Sequence, residues 1–202
     1  MKIAPKRSTA ATSKKSTASS ASKPSRTPVR ARAHDAIAIL KADHKEVSAL
    51  FDSYAIARQA NTKKKIASQI CTMLLVHAQI EEEIFYPAFQ LALKDKTLVA
   101  EAKVEHASLK ALIGQIEDTE PDGEMFDAKV KVLSEYVTHH VKEEQDEMFP
   151  LARSSSLDLV ALGVLLAERK QVLLDERAPM KTMAERLGSA LGAALRPVVT
   201  LS

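Results

Sequence analysis

The sequence has no tryptophan, a single cysteine, five glycines and only 4% aromatic residues among its 202 positions. So few aromatics beside 46% hydrophobic residues argue against a sheet built on aromatic and β-branched side chains, and for helices. The lone Cys71 cannot close an internal disulfide, which fits a reducing compartment and a cytoplasmic location. Its expected role is that of a small buried helix residue. No apolar run reaches the length of about 18 residues that a membrane span needs, so none is expected. Acidic residues are missing from the first 33 positions, where nine lysines and arginines stand without a counter-charge. Residues 34–202 then carry 20 basic and 26 acidic side chains, a net charge of −6. A basic tail therefore precedes an acidic domain, and the length allows one domain of ordinary size plus extensions.

Residues 1–33 are lysine, arginine, serine, threonine, alanine and proline, with Met1, Ile3 and Val29 as the only larger apolar residues. Such a segment cannot bury enough surface to offset the entropy of ordering, so a disordered tail is expected. It lacks the apolar centre of a secretory signal peptide. It is similar to a polybasic arm and, less closely, to an organelle transit peptide. Contact with a nucleic acid or another anionic surface would run through phosphates or their equivalents and be salt-sensitive, because no aromatic residue is interleaved for base stacking. A solubilising linker is the plainer reading.

Helical periodicity begins after the tail. Ile37, Leu40, His44, Val47, Phe51 and Tyr54 step by three and four, as one face of a helix does. Three further stripes follow: Ile66, Ile70, Met73, His77, Glu81, Ile84; Val99, Ala102, His106, Leu109, Ile113, Ile116; and Phe126, Val130, Leu133, Val137, His140, Glu144, Met148, Leu151. Breaks are expected at Asn61, at Lys94-Asp95-Lys96, at Pro121-Asp122-Gly123 and after Pro150. The pattern predicts an all-α fold: an antiparallel up-down four-helix bundle over 34–152. Residues 153–202 are expected to form a C-terminal helical extension. Its main helix is expected from about Leu157 to Asp175, after the Ser154-Ser155-Ser156 start signal, packed outside the bundle or against a partner. A short amphipathic helix is expected within 180–202, before Pro197.

Chemistry enters where polar residues interrupt the stripes. His44, His77, Glu81, His106, His140 and Glu144 all occupy positions that the pattern assigns to the core. Buried charges are costly unless paired or bound to metal, so six in one small core call for a shared explanation. His77 and Glu81 are four apart and project from one helix face, and His140 and Glu144 repeat the spacing. Pro87 and Pro150 each lie ten residues after the histidine of their pair. Asp43-His44 and Glu105-His106 repeat at 62 residues and the His-Glu pairs at 63. The bundle thus reads as two related helix pairs, each offering one histidine from its first helix and a histidine plus a glutamate from its second. Imidazole with carboxylate suits first-row metals such as iron, manganese or zinc, and two carboxylates can bridge two ions. Asp43 and Glu105 each directly precede a histidine and are expected to point elsewhere, rather than to hold the imidazoles. His139 is expected to be exposed, His34 to cap or lie on the surface, and Glu82, Glu83, Glu143 and Glu147 to form solvated faces. Lys110 lies one turn from His106 and could reach the site.

These segments, Lys41-Ala42-Asp43-His44, His77 through Pro87, Val104-Glu105-His106 and His140 through Pro150, resemble the hemerythrin-like, or HHE cation-binding, family over about residues 35–152. The resemblance implies an up-down bundle and a non-haem centre of two iron ions bridged by two carboxylates, with an oxo or hydroxo bridge between the irons. It also implies reversible binding or sensing of dioxygen, a related small ligand or iron itself. Oxygen-carrying members have a second histidine four residues from the first on the third helix, where this chain has Ala102 and Lys110. They also have His then Asp at a spacing of five on the last helix, against His140 and Glu144 here. A set one histidine short leaves an extra open position and turns the expectation from stable storage toward sensing, iron handling or redox chemistry. Two other classes stand beside a binding or sensing protein: an oxidase or peroxidase using the same centre, and a helical scaffold whose basic tail binds nucleic acid.

Overall fold

A computed structural model describes residues 35–94, 97–121 and 123–177. The basic tail, His34 and the segment 180–202 lie outside the described residues. The elements are α1 (Ala36–Ile56), α2 (Ala60–Ile80), a π-helical turn (Glu81–Phe85), α3 (Tyr86–Leu93), α4 (Thr97–Glu117), α5 (Glu124–Glu143), a second π-helical turn (Glu144–Met148), α6 (Phe149–Ser154) and α7 (Leu159–Arg177). Because α2–α3 and α5–α6 each run on through their π turn, the architecture is the expected all-α bundle of four rods with α7 added outside. No helix among the described residues is long and apolar enough to cross a membrane.

Asp35 starts α1 by accepting the Ala38 N–H at 2.8 Å. The first connection lies at 57–59 rather than at Asn61, which falls inside the first turn of α2; extended backbone at Ala57 and Gln59 makes the break. The left-handed Lys94 (φ 56°) stops α3 by donating its N–H to Gln90 O. The last rod does not end after Pro150 but continues to Ser154, and the π turn is the reason. Proline lacks an N–H and crowds the carbonyl of the preceding turn. Widening that turn, so that Tyr86 N–H reaches Glu81 O and Phe149 N–H reaches Glu144 O, makes room for Pro87 and Pro150. The extra residue also rotates the face beyond it. Phe85 and Tyr86 are buried where the stripe predicted Ile84, and Phe149 and Ala152 are buried where it predicted Leu151, which is 39% exposed.

Two apolar layers fill the bundle. One gathers Ile37, Leu40, Ile80, Phe85, Phe89 and Met148 with Leu166 and Leu173 of α7. The other gathers Tyr54, Ile70, Leu74, Ile113, Phe126 and Leu133 at the opposite end. The polar residues of the stripes lie between these layers. α7 packs on α1 and α2. It starts two residues later than expected, because Asp158 rather than a serine caps it by accepting the Ala161 N–H at 2.9 Å. The buried face of α2 is also wider than the stripe, since Cys71, Leu74, Val76 and Ala78 are buried while Ile66 and Met73 are only partly so, and Val76 shares its apolar layer with α7.

Candidate metal centre

All six stripe-interrupting residues are buried and converge on one point between the apolar layers. Glu81 is fully enclosed, and His44, His77, His106, His140 and Glu144 are each at most 7% exposed. The imidazoles form two pairs, His44 Nε2 with His77 Nε2 and His106 Nε2 with His140 Nε2, each 3.0 Å apart. Glu81 Oε2 lies 3.3 Å from His77 Nε2 and 3.5 Å from His106 Nε2, one nitrogen of each pair. Glu144 Oε2 lies 3.3 Å from His44 Nε2 and 3.7 Å from His140 Nε2, the other nitrogen of each pair. Both carboxylates therefore span the two imidazole pairs. Ligand atoms of His44, His77, Glu81 and Glu144 all lie within 4.8 Å of one another, as do those of Glu81, His106 and His140, so each set could hold a metal ion.

The outer nitrogens are held as well, by residues the sequence reading set aside. Asp43 Oδ2 accepts from His77 Nδ1 at 3.4 Å and Glu105 Oε2 from His140 Nδ1 at 2.7 Å. These two carboxylates do point away from the histidines they precede, and for that reason they reach the histidine of the neighbouring helix. Glu82 is not a solvated residue: its Oε1 accepts from His106 Nδ1 at 2.9 Å and both of its oxygens accept from Lys110 Nζ at 2.7 Å. Lys110 thus meets an outer carboxylate, and it also lines the cavity beside the four histidines. The side-chain amide of Gln145 sits 3.3 Å from His44 Nδ1. A carboxylate that accepts a hydrogen bond from Nδ1–H fixes the tautomer, leaving the Nε2 lone pair aimed inward, as metal ligation requires. His139 is exposed, as expected; it lies 3.1 Å from Glu143 and 3.5 Å from Glu105, a surface group whose atoms are also close enough to meet a cation.

The charge balance is that of a site built around cations. Burial pushes the Glu81 carboxyl well above its usual range, and the neighbouring Glu144 carboxylate pushes it further. Burial acts on Glu144 in the same sense, but the His44 imidazole and the charge on His140 outweigh it and hold Glu144 below the usual range. His106 is pushed down to about 4 by burial and by His140, whereas Glu105 outweighs burial at His140 and holds it up. Glu81 Oε1 and Glu144 Oε2 are buried and accept no hydrogen bond from any described group. Buried carboxyl oxygens without hydrogen bonds, beside inward-facing imidazoles, form a donor set that first-row cations satisfy.

Tyr86 was not anticipated. Its buried hydroxyl donates to Glu144 Oε1 at 3.0 Å, with Glu81 Oε2 at 3.4 Å and His106 Nε2 at 3.3 Å. Phe149 occupies the related place in the other half, stacked 5.8 Å from His44. The repeat carried this signal, since Tyr86 and Phe149 each lie five residues after a glutamate of the centre. On the other side of the imidazoles is a cavity of about 20 Å³, lined by Val47, Leu74, Leu109, Ile113, Val137 and Val141 together with the four histidines.

Comparison with known proteins agrees with the geometry. The family described as Hemerythrin HHE cation binding domain matches residues 35–152. A solved structure of a hemerythrin HHE cation binding domain-containing protein from Mycobacterium kansasii shares the fold, with a TM-score of 0.61 at 22% identity over 69% of this chain and 87% of that one. A protein named DNA nickase from Nostoc sp. is 29% identical over 120 residues, which are 58% of this chain; the chain spans about 33% of that relative's length. With more than half of its length matched, the six converging residues included, the chain belongs to the hemerythrin HHE cation-binding domain family.

Proposed function

We propose that the chain binds two iron ions, one between His44 and His77 and one between His106 and His140, with Glu81 and Glu144 bridging them, and that it binds or senses dioxygen or a similarly small ligand there. The observation that carries this reading is the way each carboxylate oxygen meets one imidazole of each pair, at 3.3 and 3.5 Å for Glu81 and at 3.3 and 3.7 Å for Glu144. Two ligand sets, one on His44 and His77 and one on His106 and His140, with Glu81 common to both, support two ions rather than one. When bound, the ions would supply a redox-active centre able to hold a small ligand. The chain's own residues do the rest. Asp43, Glu82 and Glu105 fix the imidazole tautomers, and the apolar layers exclude water. The cavity of about 20 Å³ beside the four histidines is the size of one water, which supports a diatomic, peroxide or water as the ligand at that point.

Redox turnover is the second reading, and Tyr86 favours it. Burial and the two glutamates raise its pKa well above the ordinary value, so it stays a neutral phenol that donates a hydrogen bond to Glu144 and stands beside the ion positions. Metal content and absorption, measured on protein purified with iron and exposed to air, test the main proposal. The expected result is two irons per chain with near-ultraviolet charge-transfer absorption, abolished by His77→Ala and strongly reduced by Glu144→Ala. A folded protein without stoichiometric metal refutes it. Peroxide consumption that depends on His77 and Glu81 would establish turnover. The Nostoc relative's name, together with nine basic residues in 1–33, supports a subsidiary proposal of salt-sensitive nucleic-acid contact by the tail. Unchanged DNA binding after deletion of 1–33 would dismiss it.

A further inference from the structure

Leu166, Lys170 and Leu173 step by four and three along the inner face of α7, and both leucines are at most 1% exposed within the apolar layer that includes Ile37 and Leu40. The leucines fix the helix register, and that register places a lysine in a stripe where packing alone would call for another apolar residue. A lysine there is costly unless its ammonium finds a partner. It finds Asp43: Lys170 Nζ donates to Asp43 Oδ1 at 2.5 Å, while Oδ2 of the same carboxylate accepts from His77 Nδ1. Asp43 is itself only 4% exposed, so one buried carboxylate joins the C-terminal helix to an imidazole of the centre. The other outer partners, Glu82 with Lys110, Glu105 and Gln145, all belong to the segment that matches the family. Lys170 lies beyond it, on a helix that adds Arg169 to Glu83 and Arg177 to Gln79 as further ties to α2 and its π turn.

We infer that Lys170 is a positioning residue for the metal position formed by His44 and His77, and that docking of α7 and loading of that position are coupled; this rests on the di-metal reading above. Without the ammonium, Asp43 Oδ1 becomes a buried acceptor with no donor and turns toward water, releasing the His77 ring from its ligating orientation. Coupling is reciprocal: an ion that holds His77 against Asp43 also holds Asp43 against Lys170, and so holds α7 in place. The centre thereby gains a mechanical output on a helix that leads into residues 178–202.

Titration of the metal-free full chain with cobalt(II), followed by its visible absorption, tests this. Wild-type protein should take up two ions. In Lys170→Met the affinity for one of them should fall about tenfold, the low end of the 10–100-fold that loss of an outer partner such as Asp43 itself causes, while the other ion binds as before. Lys170→Arg should restore it. Arg169→Met, which breaks only the exposed pair with Glu83, should leave both affinities unchanged. Trypsin should cut α7 more slowly in the loaded than in the metal-free wild type, and Lys170→Met should remove that difference. Should the methionine variant fail to fold, Lys170→Gln carries the same expectation. Wild-type affinities for both ions in Lys170→Met, or an equal loss in Arg169→Met, overturn the inference alone. Fewer than two ions in the wild type overturn the di-metal reading and the inference with it.

Discussion

Replacing Glu81 by glutamine should stabilise the metal-free protein while damaging the metal centre. Glu81 is fully buried, beside a second buried carboxylate, and its pKa is raised by burial and then by Glu144. An unfolded chain ionises this carboxyl near 4.5. Keeping it from ionising as pH rises from there to 7 costs about 1.4 kcal/mol per pH unit, so at most about 3.5 kcal/mol however far the folded pKa is raised. Glutamine needs no proton, and its amide can donate to Glu144, so a gain of about 1–3 kcal/mol is expected, or roughly 3–9 °C in melting temperature for a domain of this size. The sign follows from linkage. A group whose folded pKa is raised gives its full contribution below the unfolded value and loses it as pH rises through the folded value. The advantage of Glu81→Gln should therefore vanish near pH 4–5 and grow toward pH 7. Excess metal reverses the order, because a ligand at 100 times its Kd adds about 2.7 kcal/mol to the protein that binds it. Thermal melts of both proteins, in chelator and in metal, across pH 4.5–8 would measure this. A lower melting temperature for Glu81→Gln in chelator at pH 7, or an advantage that does not change with pH, would refute the reasoning.

Tyr86→Phe should leave two metals bound but shift the absorption of the loaded centre, since only the hydroxyl that donates to Glu144 is lost; an unchanged spectrum and unchanged peroxide chemistry would remove Tyr86 from any part in the site. Cys71 is 1% exposed, and burial followed by the charge of Glu117 pushes its thiol up to about 12, so alkylation at pH 8 should be negligible until the protein unfolds. Rapid labelling of the native protein would show that α2 opens locally.

The centre was legible in the sequence because it obeys helix periodicity. His44, His77, Glu81, His106, His140 and Glu144 sit on stripes that point inward whatever the details of packing, and the repeat at 62 and 63 residues ties them into one set. Boundaries were less legible near the prolines. Pro150 reads as a helix end, but a π turn absorbs it, as another absorbs Pro87, and the buried face shifts to Phe85 and Phe149. A rule based on 3.6 residues per turn has no place for that insertion.

The outer partners were missed for a different reason, which the structure turns into a rule. A residue next to an inward-facing ligand lies about 100° round its helix, so it seems to leave the site. In a bundle that direction leads to the adjacent helix. Asp43 and Glu105 precede the single histidines and hold His77 and His140 of their own helix pair, whereas Glu82 and Gln145 follow the glutamates and reach His106 and His44 of the other pair. The same two-fold logic that relates the ligands therefore relates their supports. It also exposes the asymmetries, a neutral Gln145 opposite Glu82 and Phe149 opposite Tyr86. Lys170 falls outside the repeat altogether, since no single-helix pattern says which buried carboxylate a lysine among leucines will meet. The site's two halves are thus alike in the histidines and glutamates they contribute and unlike in what stands around them, so the two histidine pairs sit in different surroundings: Tyr86 and Glu82 beside one, Phe149 and Gln145 beside the other.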